Sequence, residues 1–438
     1  MNRPMASKPD RKSPSGSRLL FRPALALVLG SAIFVLAGKN LASSTPAPAT
    51  PAKSLIYAGW FGNTTPTPTY IQANLAFLES QPFNGIVVYL RNASMSVNAS
   101  IGVMTNTPMS YPAIASVLDP IRNIQFTQLV DNFGFVIGND PPDFFDDWSI
   151  PIQNFANLAR ALKEAGLKGF VFDNEQYFAP WADYPTGVSY PLLSLAQYQT
   201  QVRLRGKQVM EAMVAEFPEI VVITLHGPYI SEPTAPWQLG FPQWQSGNEL
   251  HGPFFAGFQE GMGSLSQNVD GGELYDCRTT TDFQQTYNWR KYDLPSDAVN
   301  CAYIPASLRP SWPANVSISY GVYDQPFGGQ AMNSTVLATT LTNAIQQADR
   351  WVWYYVEGPS YLLPPSSGGA SQAWVDAVRS ALPATPAPPP PVVTVAPVES
   401  AKARSSCGLL GMEVVPIFFI LGLLRSRKGR FGRMRKSA

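Results

Sequence analysis

"KGFVFDNEQY", residues 168 to 177, is the stretch on which the fold turns. Gly169 to Asp173 is a short apolar run ending in an acid, the pattern of a strand buried on both faces. Just upstream, Phe155, Leu158, Ala159 and Leu162 recur at three- and four-residue spacing, which is one apolar stripe of a helix, and Gly166 suits its C-cap. The same alternation of buried strand and amphipathic helix runs through the body of the chain. Strands are expected at "LIYAGWF" (55–61), "GIVVYL" (85–90), "FGFVIG" (133–138) and "GFVFD" (169–173), then at "IVVITL" (220–225), "GELYD" (272–276), "SISYGVY" (317–323) and "WVWYYV" (351–356). Helices are expected at "TYIQANLAFLES", "IQNFANLARALKEAG", "AQYQTQVRLRGKQVMEAMVAEF", "TVLATTLTNAIQQA" and "SQAWVDAVRSAL". Eight such units in a row argue for parallel strands with right-handed crossovers, hence an α/β fold with a single (β/α)8 TIM barrel. A doubly wound sheet is the competitor, but no G-x-G-x-x-G follows the first strand and no phosphate-cradling loop is present.

The barrel occupies residues 54–382 of a 438-residue chain. Residues 38–53 and 383–405 are Pro-rich spacers, a composition that favours extended polyproline segments. Residues 1–37 read as a signal peptide or N-terminal anchor: Arg11, Lys12, Arg18 and Arg22 precede the apolar run "PALALVLGSAIFVLAG". Residues 406–438 hold the apolar run "CGLLGMEVVPIFFILGLL" and then "RSRKGRFGRMRKSA", a segment just long enough to cross a bilayer with its basic end in the cytoplasm. The expected location is therefore extracytoplasmic, tethered to a membrane through a terminal segment. The net charge is only +1, with the basic residues gathered at the two ends, so nucleic acid is not an expected partner. Away from the tail the chain has two cysteines, Cys277 and Cys301, which form a disulfide or remain two buried thiols.

In a barrel of this kind, chemistry gathers at the C-terminal ends of the strands. Those positions carry Trp60; Arg91 and Asn92; Asn139 and Asp140; Asp173 and Glu175; His226; Glu273, Tyr275 and Asp276; Tyr323 and Asp324; and Trp353, Tyr355 and Glu357. Tyr177 follows two residues after Glu175. Carboxylates beside aromatic rings suit glycoside cleavage, where acids work as proton donor and nucleophile or base and rings stack on sugar faces. Asp173, Glu175, Asp324 and Glu357 are the catalytic candidates. Trp60, Arg91, Asn139, Tyr177, His226, Glu273, Tyr275, Asp276, Tyr323, Trp353 and Tyr355 are the substrate-binding candidates. Each has an ordinary alternative: Asp173 as a helix cap, Glu175 as a loop residue, His226 as a structural hydrogen-bonder, Tyr323 and Trp353 as barrel core. Asp173 and Glu175 share a face because side chains alternate along a strand. Two acids so close push one pKa upward, and a raised Glu pKa is what a general acid requires.

The apolar run ending in D-x-E resembles strand four of barrel glycoside hydrolases, where the glutamate donates the proton, and Asn174 stands where such enzymes carry an asparagine. That resemblance implies Glu175 as donor and Asp324 or Glu357 as partner. Chitinase-type barrels offer a second resemblance, with Tyr275 and Asp276 matching their Tyr-Asp pair; it implies that Glu175 donates, Asp173 orients an acetamido group and Tyr275 supports the oxazolinium intermediate. The chain departs from both: the glutamate expected on strand seven is missing, and Phe170 and Phe172 replace upstream aspartates. The C-terminal tail resembles bacterial sorting signals of the PEP-CTERM type, with Ser406-Cys407-Gly408 in the motif position; that implies an exported bacterial protein and a sorting protease as partner. No cofactor or metal is expected, since His226 and His251 are the sole histidines and neither H-x-H nor H-E-x-x-H occurs. A glycan-binding or cell-surface scaffold barrel without catalysis is the rival reading, because the fold hosts many functions.

Overall fold

The computed structural model describes residues 52–383, apart from 61–63, 234, 236–246, 299–300, 326–330 and 359. The leader or anchor (1–37) and the tail (406–438) lie outside the described residues, as do the spacers except for Ala52, Lys53 and Pro383. No helix among the described residues is long and apolar enough to cross a membrane.

The strands are β1 (Ser54–Ala58), β2 (Gly85–Tyr89), β3 (Phe133–Ile137), β4 (Gly169–Asp173), β5 (Val221–Thr224), β6 (Gln267–Asp270), β7 (Val316–Ile318), β8 (Tyr320–Tyr323) and β9 (Trp351–Tyr355). Every pairing is parallel, in the order β7-β6-β5-β4-β3-β2-β1-β9-β8. The two ends of that order, β7 and β8, are joined through the single residue Ser319. They are therefore one stave broken in the middle: its first half pairs with β6 and its second with β9. Ser319 N–H donates to the Asp270 carbonyl at 2.8 Å and Gly321 N–H to the Gly272 carbonyl at 2.9 Å, so the second half also stays on the sixth strand's extension. The ring closes, and the fold is the expected (β/α)8 barrel.

The break is braced from outside. The helix Thr280–Asn288 runs into a wider π turn, Trp289–Asp293, that puts the consecutive residues Arg290 and Lys291 against the split stave. Arg290 is fully buried; it pairs with Asp270 at 2.8 Å and donates to the Ser319 carbonyl at 3.0 Å. Lys291 pairs with Asp349 at 2.8 Å and donates to the Val316 carbonyl at 2.6 Å, while Asp349 accepts the Ile318 amide at 2.7 Å. Backbone groups that lose ladder partners at the break thus find charged ones instead.

Large side chains fill the lumen. Trp351, Trp353, Phe133 and Phe135 are 0–1% exposed, and Gly321 leaves room for the Trp353 indole, which a Cβ there would meet at 2.3 Å. Phe170 and Phe172 of β4 point the other way, into the helix layer, where Phe172 meets Phe254 and Phe258 at 6.2 Å between ring centroids. Those partners belong to a helix the sequence pattern did not indicate, His251–Gly261. Its glycines weaken the helical signal but permit close approach: a Cβ on Gly257 would lie 2.2 Å from the Arg203 carbonyl of the long helix Leu195–Glu216.

Two expectations are corrected. Strand six is "QNVD", not "GELYD", so Glu273, Tyr275 and Asp276 stand on the loop that follows the strand. Cys277 and Cys301 are both free and buried rather than joined. The Cys277 thiol faces the Thr286 hydroxyl at 4.0 Å, Cys301 sits beside Tyr303, and burial pushes both thiols up to about 12.

Candidate active site

Alternation along β4 sends Val171 and Asp173 into the lumen, and Asp173 is 1% exposed. The chain then leaves the strand, with the Glu175 amide donating to Asp173 Oδ1 at 3.2 Å. Between them Asn174 does the work of a short strand: its side chain donates to the His226 carbonyl and accepts the His226 amide, each at 3.0 Å. That double bond pins the end of β4 to the end of β5. In consequence His226 Nε2 lies 3.5 Å from Glu175 Oε1.

Glu273 arrives from the third neighbouring strand. After β6 the chain bends through Gly271 and Gly272, the latter at φ +62° with Arg290 and the Ser319 carbonyl where a Cβ would go, so only glycine fits. Asp270 Oδ1 accepts the Gly272 amide at 3.1 Å, and the Glu273 amide donates to the Leu225 carbonyl at 3.1 Å. Glu273 Oε2 thereby reaches 3.4 Å from His226 Nε2, opposite Glu175. One oxygen of each glutamate and this nitrogen all lie within 4.8 Å of one another. The other imidazole nitrogen, Nδ1, lies 3.4 Å from the Tyr229 hydroxyl.

Charge is divided unevenly in this cluster. Burial, reinforced by Glu175 and Glu273, holds the Asp173 carboxyl well above the ordinary carboxylate range. Burial also raises Glu273. Burial pushes Glu175 the same way, but the bond and charge of His226 and the Tyr177 hydroxyl that donates to it bring its pKa below the usual value. His226 is lifted to about 9 against its own desolvation by Glu273 and Glu175, so it is an imidazolium at neutral pH. His251, whose Nδ1 is 3.4 Å from the Asn174 amide nitrogen, is driven down to about 3 by burial and stays neutral. Of the two acids flagged by their spacing, Asp173 and not Glu175 carries the raised pKa.

The opposite wall is aromatic. Tyr275 stands 5.2 Å from Tyr323 and 6.4 Å from Tyr355 between ring centroids, and Trp60 stands 5.2 Å from Tyr355 and 4.3 Å from Phe135. Glu357 at the rim accepts the Tyr323 hydroxyl at 2.8 Å and the Tyr355 hydroxyl at 2.6 Å. Asp324 falls on the outer side of its strand, next to Tyr354 in the helix-facing layer, where burial pushes it up to about 6. Its expected place as Glu175's partner is therefore not the one it occupies.

The structure thus gathers Asp173, Glu175, Tyr177, His226 and Glu273 around one point, with Tyr275 bridging from Glu273 to the facing wall of Tyr323, Tyr355, Glu357 and Trp60. Trp353 is fully buried and donates its indole N–H to the Gly271 carbonyl at 2.9 Å, so it is barrel core rather than a sugar platform. Arg91 lies 5.4 Å over the Tyr89 ring at the end of β2, and Asn139 donates to the Ile101 carbonyl at 3.2 Å. Asp276 is exposed, with Arg278 as its charged neighbour. Tyr229, Asp270 and Arg290 escaped the sequence pattern; the polar outward face of "QNVD" is the signal that could have found the last two.

No family model matches the chain, and no curated protein matches it. Solved structures with some likeness to it include an exo-β-1,4-mannosidase from Opitutaceae bacterium strain TAV5, 12% identical, covering 75% of this chain and 59% of that one, with a TM-score of 0.38. A GH5-4 broad specificity endoglucanase from an uncultured bacterium is 12% identical over 74% of this chain and 85% of its own, with a TM-score of 0.39. GH5_18 from Streptomyces cattleya, in complex with GlcNAc, is 13% identical over 78% of this chain and 83% of its own, with a TM-score of 0.43. The chain spans 59% of the length of that mannosidase.

Proposed function

We propose that this barrel hydrolyses a glycosidic bond with net retention, using Glu175 and Glu273. The observation that carries this reading is their placement: carboxylate oxygens within 4.8 Å of each other, across His226, before an aromatic wall. Retaining enzymes hold their two carboxyls about 5 Å apart, whereas inverting ones leave room for a water. The raised Glu273 carboxyl is the proton donor and the ionised Glu175 the nucleophile. A Glu175 oxygen attacks the anomeric carbon as the bond to the leaving oxygen breaks and Glu273 delivers its proton there. Water, deprotonated by Glu273, then releases the sugar from Glu175. The His226 imidazolium keeps Glu175 ionised through its neighbouring charge, and the tyrosines of the far wall offer faces to the sugar ring. The Pro-rich spacers and apolar ends of the sequence support an extracytoplasmic poly- or oligosaccharide as the substrate.

The test is a panel of aryl glycosides and polysaccharides. Retention of the anomeric configuration in the first product, and a 2-fluoro glycoside trapped on Glu175 in a peptide map, are expected. An inverted first product overturns the pairing. Undiminished glycan binding without cleavage by the wild type or by Glu175→Gln overturns the hydrolase in favour of a binding barrel.

A further inference from the structure

The contacts inside the carboxylate–histidine cluster are longer than well-formed charged hydrogen bonds. His226 Nε2 stands 3.5 Å from Glu175 and 3.4 Å from Glu273, whereas a charged N–H···O bond is about 2.7–2.9 Å long. Those distances instead match the edge of a tetrahedron of metal ligands. With metal–ligand bonds of about 2.1 Å, two ligands of a tetrahedral zinc lie roughly 3.4 Å apart. The third edge, Glu175 to Glu273, lies within 4.8 Å, and Glu175 is on a half-exposed loop where its side chain can turn.

A second, separate observation points to the same spot. Asp173 reaches it from β4, is 1% exposed, and its Oδ2 has no hydrogen-bond partner. A buried carboxyl oxygen with no partner, beside two more acids, is costly as it stands and becomes a ligand oxygen once a cation displaces the proton. The supporting groups are also those of a metal-bound imidazole: Nδ1 of His226 faces the Tyr229 hydroxyl, and the backbone of His226 is fixed by Asn174.

We infer that Glu175, His226 and Glu273 form a binding site for a divalent transition cation of the zinc type, with Asp173 as an additional carboxylate beneath it. The donor set of one imidazole and hard oxygens suits zinc or manganese better than calcium. This goes beyond the hydrolase reading and stands apart from it: the cation takes the same oxygens that would attack and protonate the sugar, so it acts as an antagonist of cleavage. Sequence spacing hid the site because its ligands come from the ends of three successive strands.

Titration of Zn2+ into the full chain by calorimetry, without sugar, tests it. One zinc per chain is expected, about 100-fold weaker in Glu175→Gln and in Glu273→Gln and unchanged in the surface variant Glu164→Gln. Glu175→Gln carries the weight because its position is half exposed; His226→Gln is added with a thermal melt to confirm that it folds. Absence of saturable binding, or wild-type affinity retained in both glutamine variants, overturns the site. Zinc binding without any sugar cleavage sinks the hydrolase alone, and cleavage indifferent to zinc together with no binding sinks this inference alone.

Discussion

The two walls of the barrel mouth hold similar groups wired in different ways. On the side of β4, β5 and β6, Asp173, Glu175 and Glu273 crowd one imidazole, while Glu175 takes the Tyr177 hydroxyl and Glu273 that of Tyr275. On the side of β8 and β9, Glu357 is already satisfied by Tyr323 and Tyr355, and Asp324 faces the helices. A carboxylate whose oxygens are claimed by two hydroxyls is stabilised where it stands and gains little by turning to a substrate. One that shares a histidine with another acid keeps its charge in play. Reactivity therefore follows from the arrangement of neighbours, not from the number of acids at strand ends.

The sharpest way to break this contrast is to exchange its acids one by one. Glu175→Gln and Glu273→Gln should each lower kcat/KM by about 10³-fold or more, the scale of losing a nucleophile or general acid. Glu357→Gln should cost less than about tenfold and act mainly on KM, because its role is to hold two tyrosines. Steady-state kinetics on a reactive aryl glycoside decides it; a larger loss in Glu357→Gln than in Glu273→Gln would move the active pair to the other wall.

The second comparison is between the braces of the split stave. Arg290 and Asp270 are both fully enclosed, while Asp349, the partner of Lys291, is 30% exposed. Removing one member of a buried pair leaves an uncompensated charge, so Arg290→Met should destabilise the fold by about 3–5 kcal/mol. Lys291→Met should cost less, since water reaches its partner. Urea unfolding of the two variants side by side checks the order.

Most of the architecture was legible because strands buried on both faces are continuous apolar runs: β2, β3, β4, β5 and β9 stand within a residue or two of their expected places. Strand six was not, because its outward residues Asn268 and Asp270 are polar. Their partners lie out of sight of any local pattern: the Asn268 amide nitrogen donates to the Phe255 carbonyl, and Asp270 pairs with Arg290. The same cause hid the site's pairing. Glu175 was visible from the D-x-E spacing, but its partner is set by the Asn174–His226 bonds and by the glycine bend before Glu273, contacts between positions far apart in the chain. Asp324 has a simpler reason: the residue just past a strand continues its alternation, and after the inward Tyr323 it must face out.

The pH dependence of stability separates the walls further. His226 has a folded pKa of about 9 against an ordinary value of 6.5. A raised cation stabilises the fold fully below the unfolded pKa and loses that contribution as pH rises through the folded one. Thermal or urea unfolding should therefore show a decline on the order of 3 kcal/mol between pH 6.5 and 9, absent in His226→Gln. Glu175 runs the other way: its depressed pKa gives stability that is present above the ordinary carboxylate range and lost as pH falls through the folded value.

Asp173 gives the smallest effect and the finest distinction. Its raised pKa means the folded state holds a proton that the unfolded chain releases, so Asp173 costs stability once pH rises above the ordinary carboxylate range. Asn has nearly the same shape, can still accept the Glu175 amide, and needs no proton taken up on folding. Asp173→Asn should thus stabilise the apoprotein by about 1 kcal/mol or more at pH 7, the scale of one pKa unit of linkage. The gain should shrink towards pH 4, where the wild-type acid is protonated in the unfolded chain as well. Urea unfolding at the two pH values measures both numbers. A variant less stable than wild type at pH 7 would mean that the charge on Asp173 holds the cluster together, so that the wall owes its stability to ionised carboxylates.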